Sequence, residues 1–487
     1  MRNFIEKIDR NNYKYYFLVT FCIGVVVGII IILVSGKSYL ASNFWLILSL
    51  VIGIISIIKF RKFFLMIIFI SGLLLGAYRM SVFNQDKMNL KSYFGQKIVL
   101  SGSIVDDINY GPDAELRFKL NNIQINNRNY KGEVWANSRE NINLKRSDKI
   151  LIKGELKNGF GGFSASLTNT DILEVEKASN NDTGLIIRDN FANATDRLDQ
   201  PGRSLGLGFL LGQKNDLPED LDKKVKNLGL SHMIVASGYN LTILVVFARR
   251  LFAKISKFMS VAMGGIMMGG FLMITGFSPS MSRAGLVAGM SLAAWYYGRK
   301  VHPVSLLLVS GSITLLIKPT YIWGDLGWYL SFLAFIGVLI LAPLINNFFW
   351  GEQKPSIFRE LVITTICAQI MTLPILIYSF GLFSAWSLLA NILILPVVPI
   401  AMLAVFIAGL GGLIFSFAGG ILALPANFLL KYCIFIIDKI ASLPSAVSEV
   451  SLSLTWMVAS YLLIFGIILM LKHKTHYSFL NNKNIID

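Results

Sequence analysis

The chain has 487 residues, 54% of them hydrophobic and only 15% charged, and apolar runs of about 16–20 residues recur along it. Runs of that length span the hydrocarbon of a bilayer, which excludes a soluble globular protein. The formal net charge of +17 divides between two readings: basic residues flanking spans on the cytoplasmic side, and attraction to an anionic substrate.

An N-terminal segment, 1–80, holds three spans at 16–34, 44–58 and 63–78. Arg2, Lys7, Arg10 and Lys14 precede the first, whose length is that of a transmembrane helix rather than a signal peptide. Basic residues at the N-terminus and at Lys59, Arg61 and Lys62 place both in the cytoplasm by the positive-inside rule. The third span then exits, so the chain beyond Tyr78 starts outside.

Residues 97–177 read as a soluble β-domain. Ile98, Leu100 and Ile104 alternate with small or polar residues; Leu116, Phe118 and Leu120 alternate with charges; Val134 with Ala136, Ile150 with Ile152, and 167–175 complete the set. Period-2 runs separated by Gly, Asn and Asp turns mark strands. Five strands in this length fit an OB-like barrel, with a generic β-sandwich as the alternative.

The pattern turns helical over 183–200, where Ile187, Phe191, Ala194 and Leu198 form a stripe and Arg188 and Arg197 lie off it. This predicts an amphipathic helix, either interfacial or packed on the next helical bundle. That bundle occupies 204–471, with spans near 231–247, 258–275, 283–298, 303–317, 326–342, 361–378, 428–441 and 454–471. Between them a Pro- and Gly-broken stretch, 388–424, reads equally as one span, two, or a re-entrant piece. A polar tail, 472–487, closes the chain. Cys22, Cys367 and Cys433 lie in apolar runs with no Cys-x-x-Cys pair, which makes them packing residues.

No cofactor or metal is expected. His232, His302, His473 and His476 have no spacing that builds a metal site on one helix. The polar groups that stand out lie inside or beside spans, where they are costly and mark candidate function. His232, Ser237, Tyr239 and Asn240 open one run, and His232 and Tyr239 are seven apart, on nearly one helical face. They read as a polar conduit lining or as a small-residue helix interface. Arg283 opens another span after a Gly-Pro interruption, placed to snorkel or to contact phosphate, with Asp325 as a candidate partner. Gln369 and Asn391 are further intramembrane polar groups.

Five runs resemble, in order, signatures of the ComEC-type competence family. Gly208-Phe-Leu-Leu-Gly212-Gln-Lys is similar to "LLLGxR", Gly229–Leu241 to "GLSHLLAISGLH", and Thr275–Ala284 to "TGxxPSxxRA". Gly324–Ala334 resembles "DPGFQLSFLA", and Ala390–Pro399 resembles "ANLLxLPLVP". Two departures stand out: Asn240 replaces the family's second histidine, and Gly327-Trp-Tyr-Leu-Ser-Phe332 lacks the family's glutamine.

The resemblance implies a polytopic α-helical membrane protein with an inserted small all-β, OB-like extracytoplasmic domain. It implies a channel, not an enzyme, that carries single-stranded DNA across the cytoplasmic membrane in natural transformation. A separate cytoplasmic ATPase or helicase would pull the strand. With no His-x-His-x-Asp-His run in the chain, a separate nuclease would degrade the other strand. A transporter of another polyanion or lipid-linked polymer, or a membrane enzyme using His232 and Ser237, are the alternatives. Within the β-domain, twelve Lys/Arg against eleven Asp/Glu leave only +1, but residues 117–157 hold ten basic and four acidic residues. Weak, salt-sensitive single-strand binding is therefore expected through Arg117, Lys119, Arg128, Lys131, Lys145 and Arg146. Phe118, Tyr130, Trp135 and Phe160 are available either for base stacking or for the barrel core.

Overall fold

The computed structural model describes residues 13–58, 64–111, 115–140, 142–178, 182–213, 217–231, 237–276, 278–299, 302–351, 353, 355–414, 416–444, 448–477 and 479. Two compact units divide the chain. The first is Met1–Thr183 with Val304–Trp328; the second is Gly184–Pro303 with Tyr329–Asp487. The bundle expected as one piece over 204–471 thus has one segment that packs with the first unit.

Among the described residues seven helices are long and apolar enough to cross a membrane, and a pair bent by 49°, Ser387–Ile394 and Val398–Ile414, would make eight. This is a multi-pass membrane protein. The bend falls at Leu395–Pro396–Val397, where proline removes a backbone donor and ends the first helix. The stretch 388–424, ambiguous in sequence, therefore divides into those two helices and the start of a third, Ser416–Ala441.

In the first unit, α1 (Tyr13–Ser35), α2 (Asn43–Ile58) and α3 (Phe64–Leu90) form the helical part together with the helix Pro303–Ile317. Gly24 and Gly28 of α1 face Gly72 and Gly76 of α3. A Cβ on any of the four would run into a facing backbone carbonyl, those of Phe69, Leu73, Phe21 and Val25 respectively. Small residues four apart let two helices approach until their backbones touch, which is what holds helices together in lipid. Arg79 of α3 donates to the carbonyls of Leu316 and Ile317 at 2.6 and 2.8 Å, and so satisfies the last turn of the helix Pro303–Ile317. The third span was expected to stop at 78; α3 instead runs to Leu90, whose side chain is buried in the β-domain core.

That domain contains β1 (Lys97–Ile104), β2 (Asn109–Tyr110), β3 (Leu116–Ile125), β4 (Arg128–Tyr130), β5 (Val134–Ser138), β6 (Lys149–Asn158) and β7 (Ala165–Glu176). The five long strands close in the order β1-β6-β7-β5-β3-β1, with only β5 and β7 parallel. One sheet closed on itself in this order is an OB-like barrel, not a sandwich. The period-2 pattern explains the core: Leu100, Phe118, Leu120, Ile150 and Ile152 all point inward and are buried. Each such side chain stabilises the fold by about 1.5–3 kcal/mol.

The second unit begins with the helix Thr183–Ala194. Its buried face is Leu185, Arg188 and Phe191, whereas Ile187, predicted on the buried stripe, is exposed. Phe191 stacks on Phe406 at 6.1 Å, so the helix packs on the bundle, the second of the two readings of its amphipathic pattern. Helices Gly202–Leu211, Val398–Ile414 and Ser416–Ala441 share one core with it, which includes Cys433. Cys367 packs in another core of this unit, and Cys22 is buried in α1.

Candidate functional site

The polar run after Gly229 is not one continuous helix over the expected span 231–247, because the backbone at Ser237 is extended. The helix is Gly238–Phe252, and Ser237 caps it, its Oγ accepting from the Asn240 backbone N–H at 3.4 Å. A serine followed by glycine favours such a boundary over a continuous span from 231. His232 lies outside the described residues. The Ser237 hydroxyl also donates to Asn240 Oδ1 at 3.2 Å, and Asn240 Nδ2 donates to the Phe209 carbonyl at 2.8 Å. Asn240 is 0% exposed, so it ties two helices together, while the adjacent Tyr239 is 43% exposed.

Arg283 sits in the first turns of the helix Pro279–Tyr296, which Ser278 caps through Met281 N–H. Its Nε donates to Ser331 Oγ at 2.6 Å, and its guanidinium carbon lies 4.7 Å from the centre of the Phe335 ring. A Cβ on Gly238 would stand 3.1 Å from Arg283 Nη2 and 2.8 Å from Ala284 Cβ. Glycine at 238 is what lets the capped helix start reach the arginine. Asp325 belongs to the first unit: its Oδ1 accepts from Trp328 N–H at 2.8 Å and opens the helix Leu326–Ile336.

A second polar group forms around Ser387. Gln369 Nε2 donates to its Oγ at 3.2 Å and Asn391 Nδ2 at 3.5 Å, while a Cβ on Gly229 would lie 3.3 Å away. Asn391 is buried, and among the described residues its Oδ1 finds no hydrogen-bond partner. Sequence reasoning missed Ser387 and Ser331, because a single serine in an apolar helix carries no periodic signal. The structure thereby links residues of all five runs in the second unit: Phe209 to Asn240, Gly238 to Arg283 and Arg283 to Ser331, with Ser387 joining Gly229 to Asn391.

In the barrel, Arg117 and Lys119 face outward from β3, opposite Asn137 and Trp135 of β5. Both are paired: Arg117 with Glu115 at 2.8 Å and Lys119 with Asp106 at 2.9 Å. Hydrogen bonds from Arg117 and then Asn137 hold the Glu115 carboxyl below its usual range. Burial pulls the Lys119 ammonium down, but Asp106, Glu133 and Asp325 outweigh it and hold it above its ordinary value. Arg146 is 7% exposed and its Nε and Nη2 grip Asp182 at 2.9 and 3.0 Å. It was expected at a nucleic-acid surface; here its fork fastens the barrel to the chain that leaves it. Arg128, Lys131 and Lys145 are exposed. Phe118 is core, Tyr130 meets Tyr93 edge-on at 5.8 Å, and Trp135 meets Phe160 edge-on at 5.4 Å. Among the described residues, no three His, Cys, Asp or Glu side chains gather as a metal would need.

Comparison with known proteins places this arrangement. A family model described as "Competence protein" matches residues 209–475. The chain is similar to ComE operon protein 3 of Bacillus subtilis (strain 168), 25% identical over 213 residues, which are 43% of this chain and 26% of that protein. It is also similar to an uncharacterized protein of Aquifex aeolicus (strain VF5), 23% identical over 201 residues, 41% of this chain and 46% of the relative. The chain thus spans less than half the length of either relative. No solved structure matches it. The family match runs from Phe209, the acceptor for Asn240, through the Arg283–Ser331 pair to the final helix, and it covers more than half of the sequence; the chain belongs to the Competence protein family.

Proposed function

We propose that this protein is a channel of the cytoplasmic membrane that passes single-stranded DNA inward during natural transformation. The observation that carries this reading is the Arg283–Ser331 pair beside Gly238, a polar site within the helical bundle and inside the family match. A guanidinium held on a serine and stacked on phenylalanine offers planar donors suited to passing phosphates. Ser237, Tyr239, Asn240, Gln369 and Asn391 supply or position further polar groups. The protein conducts rather than catalyses, so a separate ATPase pulls the strand and a separate nuclease degrades its complement. The N-terminus is cytoplasmic and the barrel lies outside, where it receives DNA. Labelling of Gln124→Cys by an impermeant reagent in intact cells checks that side; protection until lysis would reverse it.

Deleting the gene in a transformable host tests the function. Labelled DNA should still bind the cell surface but no longer become nuclease-protected, and the wild-type gene should restore protection. Normal internalisation in the deletion strain would refute the reading.

A further inference from the structure

The first unit holds a cavity of about 630 Å³, separate from the polar groups around Arg283 and Ser387. Its walls come from the C-terminal ends of α1 and α3, the β6–β7 connection and residues 320 and 323. This volume lies in the range of small-molecule sites. Lys87 and Lys91, one helical turn apart, line it together with Phe160 and Trp323. The two aromatic side chains are 53% and 64% exposed, which leaves ring surface uncovered beside two ammonium groups.

Three features give the cavity a chemistry. The β6–β7 connection joins the fourth and fifth long strands of the barrel, and in OB barrels that loop is one of the two that bind oligonucleotides. Aromatic rings beside a basic wall are how proteins hold single strands without reading sequence, by stacking bases and neutralising phosphates. Finally, Phe160 meets Trp135 edge-on, and Trp135 sits across from Lys119. Aromatic surface therefore runs from the outward face of β3 and β5 to the cavity mouth.

We propose that this cavity seats single-stranded DNA, with bases on Phe160 and Trp323 and phosphates at Lys87 and Lys91. The proposal rests on the channel reading and adds where the strand is first held. An anionic lipid headgroup is the competing occupant, and it would use the lysines but not the rings.

The full chain in nanodiscs of zwitterionic lipid is titrated with fluorescent oligothymidylate and with an abasic strand of equal length, over a series of salt concentrations. Phe160→Leu and Trp323→Leu keep apolar bulk but remove the aromatic faces. Each should weaken oligothymidylate binding about fivefold or more and leave abasic binding unchanged. The Lys87→Gln/Lys91→Gln variant should lower the log–log salt slope by about 1.4, two contacts at about 0.7 each. Unchanged slopes and affinities in correctly melting variants overturn the proposal while the channel reading stands. So does loss of co-purified anionic lipid from the lysine variant with DNA binding intact, which would assign the cavity to lipid. Wild-type protein that binds no oligonucleotide even at low salt overturns the proposal and the channel reading together.

Discussion

Arg283 Nε donates to Ser331 Oγ at 2.6 Å and joins helices whose paired residues are 48 positions apart in sequence. A hydrogen bond to a charged group contributes about 1.5–3 kcal/mol, and here it also aims the guanidinium, which rests on the face of Phe335. Arg283→Ala is expected to reduce nuclease-protected DNA at least tenfold while the protein inserts at wild-type levels. Arg283→Lys should recover only part of the loss, because an ammonium lacks the planar fork. Uptake assays paired with immunoblots of the membrane fraction separate the two effects. Full uptake with alanine would remove Arg283 from the conduction path.

Asn240 is positioned differently. Its side chain is buried and donates to the Phe209 carbonyl at 2.8 Å. Asn240→Leu strands that carbonyl and the Ser237 hydroxyl, at a cost of about 1–3 kcal/mol. The expected result is a lower thermal midpoint in detergent, with uptake falling in step with folded protein. A midpoint equal to wild type would mean that the bridge contributes nothing to stability.

The glycine pairs of α1 and α3 make a sharper structural prediction. Gly28→Leu or Gly76→Leu pushes a side chain into the facing backbone and should separate the two helices, increasing protease sensitivity of the first unit. Gly269 has nothing within 4 Å of the position its Cβ would take. Gly269→Ala should therefore behave as wild type, which controls for the mere loss of glycine.

How much of the molecule is readable from its sequence differs by element. The barrel is legible because alternation at Leu100, Phe118 and Ile150 reports a buried face directly. The polar runs are legible because Asn240, Arg283 and Asn391 stand out against apolar surroundings. What each polar group bonds to is not. Arg146 looks like one more member of a basic stretch; its partner Asp182 is 36 residues away, and only the closed barrel brings them together. Lys119 likewise gains Asp106 across a loop, so charge counted along the chain overstates the free positive charge of this face. The Gly24/Gly28 and Gly72/Gly76 spacing is present in the apolar runs and marks a close helix pair. Assignment of Val304–Trp328 to the first unit has no local signal, since it depends on contacts such as Arg79 with Leu316 and Ser312 with Cys22.

The central claim is that a DNA strand passes the Arg283 site. Tyr239 is 43% exposed and adjoins Gly238, which packs beside that arginine. A photo-crosslinking amino acid at 239 can be irradiated in cells taking up DNA that carries a bulky block on its trailing end. The stalled strand should become covalently attached at 239, and the adduct should be digested by a single-strand-specific nuclease. Stalled, partly protected DNA that yields no adduct at 239 would contradict passage through this site.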